Sequence, residues 1–125
     1  MADRKSKKTI RVGVVGCGRG RSFTLAAPHV GMELVALCDT WEERLTASGA
    51  QLGVATYADY DAFLAHDMDA VVLANYFHEH APFALKALAA DKHVMSECAA
   101  CHTLGEGVAL ARAVEKSGKI YMFAE

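Results

Sequence analysis

The chain has 125 residues, 53% hydrophobic and 22% charged, with a formal net charge of −2. That length suits one domain around one core, the composition is that of an ordered globular chain, and the charge leaves no electrostatic footprint for nucleic acid. No apolar run approaches the roughly 18 residues of a membrane span, so neither class of partner is expected.

The opening MADRKSKKT is polar and basic, which predicts a solvated, frayed tail over residues 1–8. It lacks the apolar stretch of a secretory signal, so a cytoplasmic location is expected. Thiols stay reduced there, and Cys17, Cys38, Cys98 and Cys101 are poor candidates for structural disulfides. Residues 9–125 then read as a single domain. TIRVGVVG, MELVALCD, DAVVLAN, KHVMSE and KIYMFAE are short apolar runs, and GVATY is a weaker one. They are nearly continuous rather than alternating, the pattern of strands covered on both faces in a parallel sheet.

Helical segments lie between the runs. Thr40-Trp41-Glu42-Glu43 fits a capping box, and Thr103-Leu104-Gly105-Glu106 fits a second. After the second, Leu104, Val108, Ala111 and Val114 fall on one helical face, and Gly118 stands where a C-terminal cap is expected. EHAPFALKALAAD is alanine-rich, with Pro82 tolerable in its first turn, and DYDAFLAHD is a short helix. Trp41 and Tyr60 are expected to pack against helices, and His29, His66 and His93 to sit at the surface or at strand edges. The alternation predicts a doubly wound α/β sheet of six parallel strands in order 3-2-1-4-5-6.

The first strand runs into Gly16-Cys17-Gly18-Arg19-Gly20-Arg21. In a dinucleotide fold the first glycine permits a tight turn and the second lets the backbone approach a pyrophosphate. The third glycine position falls on Arg21. Either a side chain there holds helix and strand apart, or the helix entry shifts by one residue and Gly20 takes the role. Arg19 and Arg21 are both placed to supply a phosphate contact. Asp39 ends the second strand about twenty residues on, where a carboxylate accepts from adenosine ribose hydroxyls. It would repel a 2′-phosphate, so NAD is expected over NADP.

These residues, with VGVVGCG, ELVALCDTWEERL, YADYDAFLAHDMDAVVLA, HEHAPFALKALAADKHVMSE and AVEKSGKIYMFAE, resemble the N-terminal NAD(P)-binding Rossmann domain of the Gfo/Idh/MocA oxidoreductases. The resemblance covers Ile10 to Glu125. It implies hydride transfer between a nicotinamide and a sugar, polyol or related secondary alcohol. It also implies cofactor contacts at Gly16, Gly18, Asp39, Asn75, His80 and Glu97, with Glu97 beside the nicotinamide ribose; the glycine turn itself adds Arg19 and Gly20 to the candidate cofactor-binding residues. Two segments depart from the family pattern. Ala74-Asn75-Tyr76 stands for its A-T-P, and Glu97-Cys98-Ala99 for its E-K-P, so Cys98 occupies the slot of a lysine that helps manage the alcohol proton. A thiol carries no fixed positive charge and has a shorter reach.

Cys98-Ala99-Ala100-Cys101-His102 also matches C-x-x-C-H. Covalent haem, a redox dithiol and a metal site are alternatives, but the segment lies where a strand ends and a capped helix begins, and a divergent active-site turn is the simplest reading. His78-Glu79-His80 is poorly spaced for chelation, and no metal is expected. The sequence ends at YMFAE, where a member of that family continues into a substrate domain. The chain alone is therefore expected to be inactive, and apolar surface left bare favours a homo-oligomer. The rival reading is a free-standing dinucleotide-binding or scaffold module without catalysis.

Overall fold

Arg11 and the valines after it begin an extended run, Ile10–Val15, that forms strand β1 with Val12, Val14 and Val15 buried. The computed structural model describes residues 8–125; of the tail expected over residues 1–8, residues 1–7 lie outside the described residues. From β1 the chain proceeds through α1 (Arg21–Ala26), β2 (Met32–Cys38), α2 (Glu42–Leu52), β3 (Ala55–Tyr57) and α3 (Tyr60–Leu64). It continues through β4 (Ala70–Leu73), α4 (His80–Ala89), β5 (His93–Glu97), α5 (Leu104–Ser117) and β6 (Tyr121–Ala124). Short 3₁₀ turns at Ala27–Val30 and Phe77–Glu79 precede β2 and α4.

All five strand pairings are parallel and the order is β3-β2-β1-β4-β5-β6, as the alternation predicts. The order reverses between β1 and β4. A doubly wound sheet opens a crevice beyond its strand ends at that switch point.

Two apolar clusters lie on the two faces of the sheet. Phe63, Val71, Leu73, Leu88 and Leu110 join α3, α4 and α5 to it, and Val12, Val14, Leu37, Leu45 and Val72 form the second cluster with Phe23 and Leu52. Tyr60 packs as expected: it is buried, stacks on Phe83 at 4.0 Å, and its hydroxyl donates to the Phe83 carbonyl at 2.7 Å.

Several local expectations need correction. No box forms at Thr40. The cap of α2 is Trp41, one residue later, and the Asp39 carboxylate takes the Trp41 amide at 2.8 Å. That bond holds Trp41 outside the first helical turn, so the helix starts at Glu42 and the Thr40–Glu43 spacing no longer fits a cap. The Thr103 box does form, with Glu106 reaching back to the Thr103 amide, an arrangement that contributes about 1 kcal/mol. Gly118 closes the same helix in the left-handed region, as expected.

The buried face of α5 is only partly the predicted one: Val114 packs against the core, while Ala111 is exposed. Leu104 and Val108 are exposed, and Leu110 enters the core with Ala113 and Val114 beside it. Both stripes obey helical spacing. Leu110 shares one core cluster with Ala84, Ala87 and Leu88 of α4, so packing between the two helices and the sheet separates the stripes. Nor is every strand covered on both faces. Met122 and Phe123 of β6 are about half exposed, and an open apolar groove of about 460 Å³ runs over Val12, Val72, Met95 and Met122. The α1 side has only a six-residue helix to offer there.

Among the described residues no helix is long and apolar enough to cross a membrane. All four cysteines are free. His66 meets the Tyr57 hydroxyl at 2.8 Å, and His93 accepts the Ile120 amide at 2.9 Å, tying β5 to the approach of β6.

Candidate functional site

The loop after β1 turns within one residue. Gly16 has φ +96°, and a Cβ there would lie 2.5 Å from the Ala74 carbonyl oxygen. Left-handed backbone and close approach together demand glycine. Gly20 is tighter: a Cβ would sit 2.0 Å from the Gly16 carbonyl oxygen and 2.6 Å from Val14 Cγ1. This settles which residue plays the third glycine. Helix α1 begins at Arg21, with Gly20 as its cap, and the Arg21 side chain is exposed. The entry is shifted by one residue and helix and strand stay in contact. The amides of Gly18 and Arg19 meet no acceptor among the described residues.

Asp39 is the hinge between this loop and the end of β2. Its Oδ2 accepts the Cys17 amide at 2.7 Å and its Oδ1 accepts the Trp41 amide at 2.8 Å. The Gly16 amide donates to the Cys38 carbonyl at 2.8 Å, so the loop is pinned to β2 at two consecutive residues. Each Asp39 oxygen keeps a lone pair for a further donor. Cys17 and Cys38 flank it; burial first, then the neighbouring carboxylate, pushes their thiols up to about 11 and about 12. Both are inert packing groups.

Across the switch point lies the turn after β4. Asn75 donates from Nδ2 to Glu79 at 2.8 Å, while its Oδ1 is buried without a partner among the described residues. His80 is fully buried behind this turn. Its ring nitrogens lie 2.8 Å from the Ala99 carbonyl oxygen and 3.1 Å from that of Asn75, and Ser96 donates to the same Ala99 carbonyl at 2.7 Å. His80 thus ties the turn after β4 to the turn after β5. It stands behind the groove wall, where it acts on a ligand only through those two turns.

At the end of β5 the Glu97 side chain is 5% exposed. Its Oε1 accepts Arg19 Nε at 2.9 Å and the Cys98 thiol at 2.8 Å. Cys98 has φ +60°, an uncommon left-handed conformation for a residue with a side chain, and its amide donates to the Ala124 carbonyl at 2.7 Å. The thiol bond and then the guanidinium hold the Glu97 carboxyl below the usual range, against the opposing effect of burial. The same contact to Glu97 raises the Cys98 thiol. Neither group is poised to exchange a proton near neutrality.

A stability consequence follows from the depressed carboxyl. Glu97 contributes stability fully above its ordinary value of 4.5 and loses it as pH falls through the lower folded value. Glu97→Gln is therefore expected to destabilise the protein at about pH 7 and to destabilise it by less at about pH 3. Denaturant unfolding at both values checks this; an equal deficit at each would contradict it.

Gly16, Gly18, Arg19, Asp39 and Asn75 line one groove of about 480 Å³, while Gly20 and His80 support it from behind and Glu97 is joined to it through Arg19. Sequence reasoning missed Trp41 and Arg44. Trp41 is 55% exposed rather than packed, the Arg44 guanidinium lies 4.4 Å over its ring, and both line the groove. The signal was Trp41's place two residues after Asp39. Ser96, a polar residue within an apolar strand, was a second overlooked signal. No three His, Cys, Asp or Glu side chains converge as metal ligands among the described residues.

The groove has the features a dinucleotide requires: close access to backbone at Gly16 and Gly18, free loop amides, and a buried amide oxygen awaiting a donor. Residues 10–125 match the family described as oxidoreductase family, NAD-binding Rossmann fold. Among curated relatives, the dTDP-3,4-didehydro-2,6-dideoxy-alpha-D-glucose 3-reductase of Streptomyces violaceoruber is 34% identical over 72% of this chain and 28% of its own length. A glycosyl hydrolase family 109 protein of Solibacter usitatus is 32% identical over 82% of this chain and 27% of its own. The chain thus spans little more than a quarter of the length of these relatives. Among solved structures, the WlbA dehydrogenase from Bordetella pertussis, in complex with NADH and UDP-GlcNAcA, superposes with a TM-score of 0.85 at 30% identity, covering 94% of this chain and 37% of that one.

Proposed function

Because the chain belongs to the Gfo/Idh/MocA oxidoreductases and carries their NAD(P)-binding Rossmann domain, we propose that it holds the cofactor for hydride transfer to or from a sugar, polyol or related secondary alcohol. The observation that carries this reading is the glycine loop held against Asp39 at the β1/β4 switch point. When bound, the nicotinamide supplies the hydride chemistry. The chain's own residues bind and orient. Gly18 and Arg19 offer amides to the diphosphate, Asp39 accepts from the adenosine ribose, Asn75 Oδ1 accepts a further donor, and Glu97 faces the distal ribose. The names of the reductase relative and of the WlbA complex support a sugar as substrate. The raised Cys98 thiol and depressed Glu97 carboxyl leave the alcohol proton to a group outside these residues. The four free cysteines support a reducing compartment such as the cytoplasm.

Calorimetric titration with NAD⁺ and NADP⁺ tests the assignment. NAD⁺ is expected to bind about tenfold more tightly, because Asp39 opposes a 2′-phosphate. Tighter NADP⁺ binding would remove Asp39 from its role, and no binding of either at millimolar concentration would end the reading.

A further inference from the structure

Glu97 and the glycine loop are far apart in sequence and two strands apart in the sheet, about 10 Å across its edge. Arg19 spans that distance. Its Nε donates to Glu97 Oε1 at 2.9 Å, its Nη1 lies 3.4 Å from Ser22 Oγ, and its guanidinium carbon stands 6.0 Å from the Phe23 ring centroid. The pair therefore crosses the switch-point crevice itself. Arg19 and Cys98 both occupy Oε1, and Glu97 Oε2 has no donor among the described residues. A carboxylate held by one oxygen presents the other in a fixed direction. Charge-assisted pairs of this kind are short and directional, and a guanidinium stays charged at every working pH. Cys98, the chain neighbour, provides a hydrogen bond but no positive charge, so the fixed cation at this strand end comes from the glycine loop.

We propose that Arg19 is the positioning residue of Glu97, fixing Oε2 as the acceptor for a hydroxyl of the distal ribose of the dinucleotide. The proposal rests on the functional reading above and adds to it a coupling between the loop after β1 and the end of β5. The Arg19 side chain acts through Glu97; only its backbone amide is left for the diphosphate.

ADP and ADP-ribose separate these roles, because only ADP-ribose carries the distal ribose. Both are titrated by calorimetry into the wild-type chain and the Arg19→Ala, Arg19→Lys and Glu97→Gln variants. Arg19→Ala is expected to weaken ADP-ribose about tenfold and to leave ADP within about twofold. Arg19→Lys should recover most of the loss, since an ammonium still pairs with the carboxylate, and Arg19→Ala added to Glu97→Gln should cost nothing further. Arg19 is 60% exposed, so its removal leaves the core intact. Equal weakening of both ligands would place Arg19 on the diphosphate and overturn the proposal. An unchanged ADP-ribose affinity would overturn it as well. A wild-type chain that binds neither ligand would instead defeat the functional reading, and the proposal with it.

Discussion

Gly20→Ala is expected to lower stability by about 3 kcal/mol and to abolish dinucleotide binding. The added methyl would stand 2.0 Å from the Gly16 carbonyl oxygen, a backbone atom that cannot rotate away, and 2.6 Å from Val14 Cγ1 in the core. Relief requires α1 to move off β1. That motion drags Gly16, whose amide is bonded to Cys38, and disturbs the loop that Asp39 holds through Cys17. Urea unfolding and NAD⁺ calorimetry read the two effects. Arg21→Ala is the control: its side chain is exposed, and a change within about 0.5 kcal/mol is expected. If Gly20→Ala unfolded at the wild-type midpoint, the close contact of helix and strand would be disproved.

Asp39→Ala is expected to weaken NAD⁺ about a hundredfold while the fold survives. Asp39 performs two tasks at once. It accepts the Cys17 and Trp41 amides, which fixes the loop relative to the end of β2, and it keeps acceptor capacity for ribose hydroxyls. Losing two charge-assisted hydrogen bonds, each contributing about 1.5 kcal/mol or more, gives roughly that factor. Asp39→Asn keeps a carbonyl acceptor for one task and should lose only about tenfold. Calorimetry on the three proteins measures the series. Equal affinities for wild type and Asp39→Ala would show that the carboxylate serves the loop alone.

The loop and its carboxylate were legible in the sequence because both are local. A glycine turn follows a strand, and an acidic residue ends the next one. The third glycine was ambiguous, because a one-residue shift in helix entry leaves the motif's spacing almost unchanged and only the distance to Gly16 resolves it. Trp41 was misjudged because an aromatic near a helix start reads as packing. It stands instead as the N-cap of α2, one residue later than the threonine pattern implies, with its amide held by Asp39 at the edge of the groove.

By itself the sequence determined the six parallel strands, their order, the position of the crevice and, among the residues that line it, Gly16, Gly18, Arg19, Asp39 and Asn75. These follow from hydrophobic runs, crossover handedness and turn chemistry, each set by neighbours in the chain. Tertiary structure alone decided which residues of α5 are buried, that β6 stays partly bare, that His80 stands behind the wall, and that Arg19 reaches Glu97 across two strands. The reason is physical. Periodicity says that a segment has faces, while the partner that fills a face, and the side chain that crosses a crevice, depend on atoms brought together only when the sheet closes.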